Sequence, residues 1–144
     1  MQNILATIDF SYNEKLVMDM ALDMAKAFGG KIWLLHVAPP EPEFIGFGVG
    51  PQYVRDTRAA ELKKERRLMN EYAHQLQEEG VEAKGLVIEG ATVNMILEKA
   101  EKLQIDLIIT GLHEHNFVYK AFFGSVAKGV VKKTKIPVLL VPLE

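Results

Sequence analysis

Short apolar runs alternate along the chain with longer stretches in which apolar residues recur every three or four positions. The first run, Ile4-Leu5-Ala6-Thr7-Ile8, is β-prone and stops at Asp9, the pattern of a buried strand arriving at a polar turn. Ser11 precedes Glu14 by three residues, the spacing of a capping box, and the helix it predicts carries Val17, Met20, Ala21, Met24, Ala27 and Phe28 on one face before Gly29-Gly30. A second strand runs from Lys31 to about Val37, where Pro39, Pro40 and Pro42 end any ladder. A loop with Gly46, Gly48 and Gly50 leads to a long helix, 56–79, with an apolar stripe of Leu62, Met69, Tyr72, Ala73 and Leu76. Then come a strand over 83–88, a helix over 92–103, a strand over 106–110, a loop over 111–123, a helix from Ser125 and a strand over 137–141. Five apolar strands alternating with four helices predict an α/β fold. It is a doubly wound five-stranded parallel sheet in the order 3-2-1-4-5, covered on both faces and joined by right-handed crossovers.

Length and charge narrow the function. The 144 residues suffice for one domain, 1–144, and neither a repeat nor a linker divides them. With 17 basic and 19 acidic residues the formal net charge is -2, so the basic surface that holds a nucleic-acid backbone is not expected. No run approaches the roughly 18 apolar residues of a membrane span, and the first residues lack the pattern of a signal peptide. The absence of cysteine excludes thiol chemistry and fits a reducing compartment. The expectation is a cytoplasmic protein with no membrane contact.

In an open doubly wound sheet, ligands bind beyond the carboxyl ends of the strands where the strand order reverses. That points to Asp9, at the end of the first strand, and Gly111, after the fourth, with the end of the second strand near Val37 beside them. No Walker A loop is present, since the only Gly-Lys pair, Gly30-Lys31, is followed by Ile32; the first strand-to-helix turn holds Phe10, Ser11 and Tyr12 instead of the glycines of a dinucleotide site. Gly124-Ser125 is the better phosphate candidate, because a glycine lets backbone approach a ligand and the helix that follows offers unpaired N–H groups. The same pair also suits an ordinary serine N-cap. Lys120, four residues upstream, either lends a positive charge there or is simply solvated.

Gly111-Leu-His-Glu114, nine further residues and then Gly124-Ser125-Val126 reproduce the spacing of the nucleotide-binding pattern of the universal stress protein family, which the chain resembles over essentially its whole length. Ile4 to Asp9 with Ser11, Leu34-Leu-His-Val37, Glu89-Gly90 and the closing Ile136-Pro-Val-Leu-Leu-Val resemble other segments of that family. The resemblance implies a Rossmann-like, adenine nucleotide alpha hydrolase-like fold that binds ATP, ADP or AMP as a regulatory module in stress responses. It implies that Asp9 faces the ribose, that backbone near Val37 meets adenine, that Thr110 and Gly111 line the crevice, and that Gly124, Ser125 and Val126 hold phosphates.

Glu114 replaces the second glycine of the pattern and puts a negative charge near the expected phosphates. Two like charges roughly 5 Å apart at an effective dielectric of about 20 repel by about 3 kcal/mol, more than a factor of ten in affinity. Solvent, Lys120, a protonated His113 or His115, or a divalent ion shared with the phosphates could each relieve it. His113-Glu114-His115 has ligand chemistry, but consecutive residues rarely converge on one ion, so the metal expected is magnesium or manganese carried by the nucleotide. No residue has the companions of a catalytic group. The alternatives are a nucleotide-free stress homodimer and a slow ATP hydrolase. The family resemblance also implies a homodimer, and the apolar edge strand Val138-Leu139-Leu140-Val141 gives it a physical reason. The protein partner and the stress signal are not written in the sequence.

Overall fold

The computed structural model describes residues 2–10, 13–39, 52–113 and 125–143. Its elements in chain order are β1 (Asn3–Thr7), α1 (Lys15–Phe28), β2 (Lys31–Ala38), α2 (Gln52–Glu78), β3 (Ala83–Glu89), α3 (Thr92–Lys102), β4 (Leu107–Leu112), α4 (Ser125–Lys133) and β5 (Val138–Pro142). The strands form one parallel sheet in the order β3-β2-β1-β4-β5. This is the expected doubly wound fold.

The apolar runs have a direct cause. Successive side chains of a strand face opposite ways, so a strand covered on both sides needs apolar residues at every position. Ile4 and Ala6 of β1, Ile32 and Leu34 of β2 and Leu107 and Ile109 of β4 pack under α1 and α2. Leu5, Leu35 and Ile108, in the intervening positions, pack under α3 and α4. Each such aliphatic side chain contributes roughly 1.5–3 kcal/mol by leaving water.

Three local expectations need correction. α1 starts at Lys15, and Glu14 stands at its cap position without a side-chain capping bond; its carboxylate accepts from the hydroxyl of Tyr72 at 2.8 Å, and Ser11, the other half of the expected capping box, lies outside the described residues. The buried face of α1 is Val17, Met18, Ala21 and Ala25, whereas Phe28 is 53% exposed, because Gly29 turns left-handed (φ 69) and takes the chain away toward β2. β4 runs through Gly111 and Leu112, beyond its expected end, because β5 continues the ladder with Gly111 opposite Val141 and Leu112 opposite Pro142. The triplet Gly46, Gly48 and Gly50 lies outside the described residues.

Candidate functional site

β1 and β4 are neighbours at the centre of the sheet, and the strand order reverses between them. The connection after β1 crosses to one face and the connection after β4 to the other, which leaves a crevice at their carboxyl ends. A cavity of about 270 Å³ lies there, and Asp9, Val37, Thr110, Gly111 and Val126 all line it. The five come from four separate parts of the chain. Glu114, Lys120 and Gly124 lie outside the described residues. Ser125 begins α4, and its side chain lies outside them too. Val126 and Ala127, in the first turn of α4, line the cavity, so a helix N-terminus with N–H groups that no helical carbonyl can satisfy stands at it.

Each wall has a local reason. Asp9 follows a strand whose last pairing is Thr7 with Leu35, and the N–H of Ile8 still donates to the Leu35 carbonyl at 2.8 Å. The chain then breaks away at Phe10, which is left-handed with φ 60. Thr110 is buried, and its hydroxyl oxygen accepts from the Thr7 hydroxyl at 2.8 Å, which joins β1 to β4 at the cavity floor. Gly111 is explained twice over. It lines the cavity, and a Cβ built on it would lie 2.6 Å from Cδ1 of Leu143, another lining residue, so a side chain there would have to displace that leucine.

The electrostatics of the crevice involve residues that strand ends and glycines did not single out. Nε2–H of His113, just past β4, donates to Oδ2 of Asp9 at 3.0 Å, and both residues line the cavity. Glu14 also lines it. Burial pushes the Glu14 carboxyl above its usual range and the charge of Asp9 pushes the same way, while the hydrogen bond from Tyr72 opposes both. The Tyr72 hydroxyl is itself pushed up to about 12, by burial first and then by its bond to Glu14. His113 carried a signal in the sequence as part of the glycine-spaced motif; Glu14 carried none beyond its helix-start position. Among the described residues no group of three or more histidine, cysteine or acidic side chains could hold a metal ion.

The fold and the cavity together define a doubly wound parallel α/β domain with a crevice at its topological switch point. A profile of the universal stress protein family matches residues 1–142, and the chain belongs to that family. Universal stress protein A homolog 1 of Coxiella burnetii is 30% identical over 97% of this chain and 95% of its own. The universal stress protein UspA from Lactobacillus plantarum superposes with a TM-score of 0.81 at 19% identity, over 97% of both chains. A family protein from Arabidopsis thaliana, solved with AMP bound, superposes with a TM-score of 0.70 at 18% identity, over 100% of this chain and 93% of that one.

Proposed function

We propose that this chain is a regulatory module of the stress response that binds an adenine nucleotide in the crevice between β1 and β4. The observation that carries the reading is the convergence of Asp9, Val37, Thr110, Gly111 and Val126 on one cavity at the switch point, with the N-terminus of α4 at its side. A carboxylate beside a helix N-terminus suits a ligand with hydroxyl donors at one end and phosphate at the other, which describes a nucleotide. The AMP bound to the Arabidopsis relative is in keeping with that class. Asp9 takes the ribose hydroxyls, backbone at Val37 takes the base, and Gly124, Ser125 and Val126 take the phosphates, with Lys120 and Glu114 beside them. Any magnesium or manganese arrives with the phosphates.

The protein acts as one cytoplasmic domain and is not built as an enzyme. It works as a homodimer joined along β5, an edge strand of half-buried Val138, Leu139 and Leu140 that has β4 on one side alone in this sheet. No helix of the described residues is long and apolar enough to cross a membrane.

The test is to denature freshly purified protein and identify released nucleotide by mass spectrometry, then to repeat it with Ser125→Ala. Near-stoichiometric ATP, ADP or AMP in the wild type, reduced in the variant, is expected. An empty wild type that also fails to take up added nucleotide with magnesium overturns the reading in favour of the nucleotide-free homodimer, the form that Glu114 in place of a motif glycine would favour.

A further inference from the structure

His36 lines the cavity without a part in the ligand contacts assigned above, and among the described residues it is one of the few buried polar side chains, only 9% exposed. Its Nδ1 lies 2.7 Å from the carbonyl oxygen of Ile8. A carbonyl can only accept, so Nδ1 carries a proton and donates it. The N–H of Ile8 is already bonded to Leu35, and the imidazole therefore completes a clamp on both polar groups of that residue. On its face the ring packs against Phe10, centroid to centroid 4.6 Å at 57°. Phe10 holds φ 60, a conformation that a bulky side chain adopts only when its surroundings force it. Ile8 and Phe10 are the two neighbours of Asp9.

The far side of the ring faces a carboxylate that is an ion-pair partner only when both ring nitrogens carry protons. Nε2 faces Oε2 of Glu65 on α2 at 3.3 Å. Two turns further along α2, Tyr72 lies 6.3 Å from the Phe10 ring and donates to Glu14. The segment that carries Asp9 is thus braced from β2 and α2, by His36 and Glu14 at the cavity wall and by Tyr72 behind them.

We propose that His36 is a positioning residue for Asp9: its Nδ1–H fixes the carbonyl before the carboxylate and so aims Asp9 into the crevice toward His113 and the ligand, while the packing of its ring on Phe10 is a lesser support. The affinity side of this claim rests on the nucleotide reading above; the geometric side does not. A space-filling core histidine would be indifferent to which of its nitrogens is retained. A positioning histidine needs Nδ1.

The test uses two substitutions that separate the nitrogens. In His36→Asn the amide nitrogen falls close to the place of Nδ1, and in His36→Gln close to that of Nε2; both lose the ring. Three quantities are read: the imidazole ¹⁵N shifts of His113, which report its bond to Asp9, the affinity for AMP, and Tm. His36→Asn is expected to keep the wild-type His113 signature and an AMP affinity within about threefold, while His36→Gln loses the signature and at least about tenfold in affinity at a comparable Tm. The proposal is overturned if the glutamine variant keeps the His113 signature, or if both variants lose it in step with Tm. Should neither variant fold, the ring tautomer in the wild type decides: long-range ¹H–¹⁵N correlations must show a proton on Nδ1 of His36, and a bare Nδ1 overturns the claim. If the wild type binds no AMP, the nucleotide reading fails while the His113 and His36 signals still settle the positioning.

Discussion

The two ends of the parallel sheet treat a carboxylate in opposite ways. At the amino end, Asp106 is exposed, and its Oδ2 accepts the backbone N–H groups of Gln2 at 2.8 Å and Asn3 at 3.0 Å. Those two bonds hold its pKa below the usual carboxylate range. Beside it Lys31 lies over the Trp33 ring, 4.1 Å from the centroid. At the carboxyl end, Glu14 sits partly desolvated against a cavity with its pKa raised, Phe10 is held left-handed, and Asp9 reaches across the reversal to His113. One end ties its strands together with satisfied contacts. A left-handed residue stands at each, Gln104 (φ 54) at the amino end and Phe10 at the carboxyl end, so what sets the second apart is a partly desolvated carboxylate against a cavity, a cost that proteins accept where a ligand must be met.

The largest effect that can break this comparison is a crossover between the two aspartates. Asp9→Ala should weaken nucleotide binding about ten- to a hundredfold, the worth of a hydrogen bond to a charged group, with little change in Tm. Asp106→Ala should do the reverse, leaving affinity untouched and lowering Tm at neutral pH. The sign follows from the lowered pKa: the contribution of Asp106 is present above its ordinary value of 3.8 and is lost as pH falls through the folded-state value, so the gap to wild type should close in acid. Calorimetric titration and thermal melts of both variants would expose a failure, most plainly a loss of affinity in Asp106→Ala.

A smaller effect concerns the cavity floor. Thr110→Val removes the acceptor of the Thr7 hydroxyl and should cost about 1 kcal/mol of stability, read from urea melts. An unchanged midpoint would mean that water serves Thr7 equally well.

Smallest is Glu14→Gln, which keeps an acceptor for Tyr72 and removes the titration. A raised pKa is favourable to folding below the ordinary value of 4.5 and becomes a penalty as pH rises through the folded-state value. Wild type and variant should therefore melt together in acid and separate toward neutral pH, with the glutamine variant the more stable. Separation in the opposite sense would remove Glu14 from the desolvated side of the comparison.

The double coverage of the strands was legible because every position of such a strand must be apolar, as at Leu5 and Ala6 or Ile108 and Ile109. Asp9 and Val37 were legible as the polar or terminal residues where such runs stop, and Thr110 through the family resemblance; all three line the cavity. The start of α1 was not. The spacing puts Glu14 inside the helix, whereas it stands at the cap, and its carboxylate meets Tyr72, 58 positions away, of which local spacing carries no trace. Gly111 looked like the first residue of a loop; the pairing that keeps it in β4 comes from Val141, on a strand a helix away. His36 read as one more residue of a buried strand, and its contact with Ile8 across the β1–β2 pair appears only once the register is known.

The central claim, that the carboxyl end of the sheet is the nucleotide site, is tested most directly by titrating AMP into ¹⁵N-labelled protein and following the backbone amides. The account expects saturable shifts at Asp9, Val37, Thr110, Gly111 and Val126, with Gln2, Asn3 and Asp106 unmoved. Saturable shifts centred on the amino end, or none at any residue up to millimolar AMP with magnesium, would contradict it.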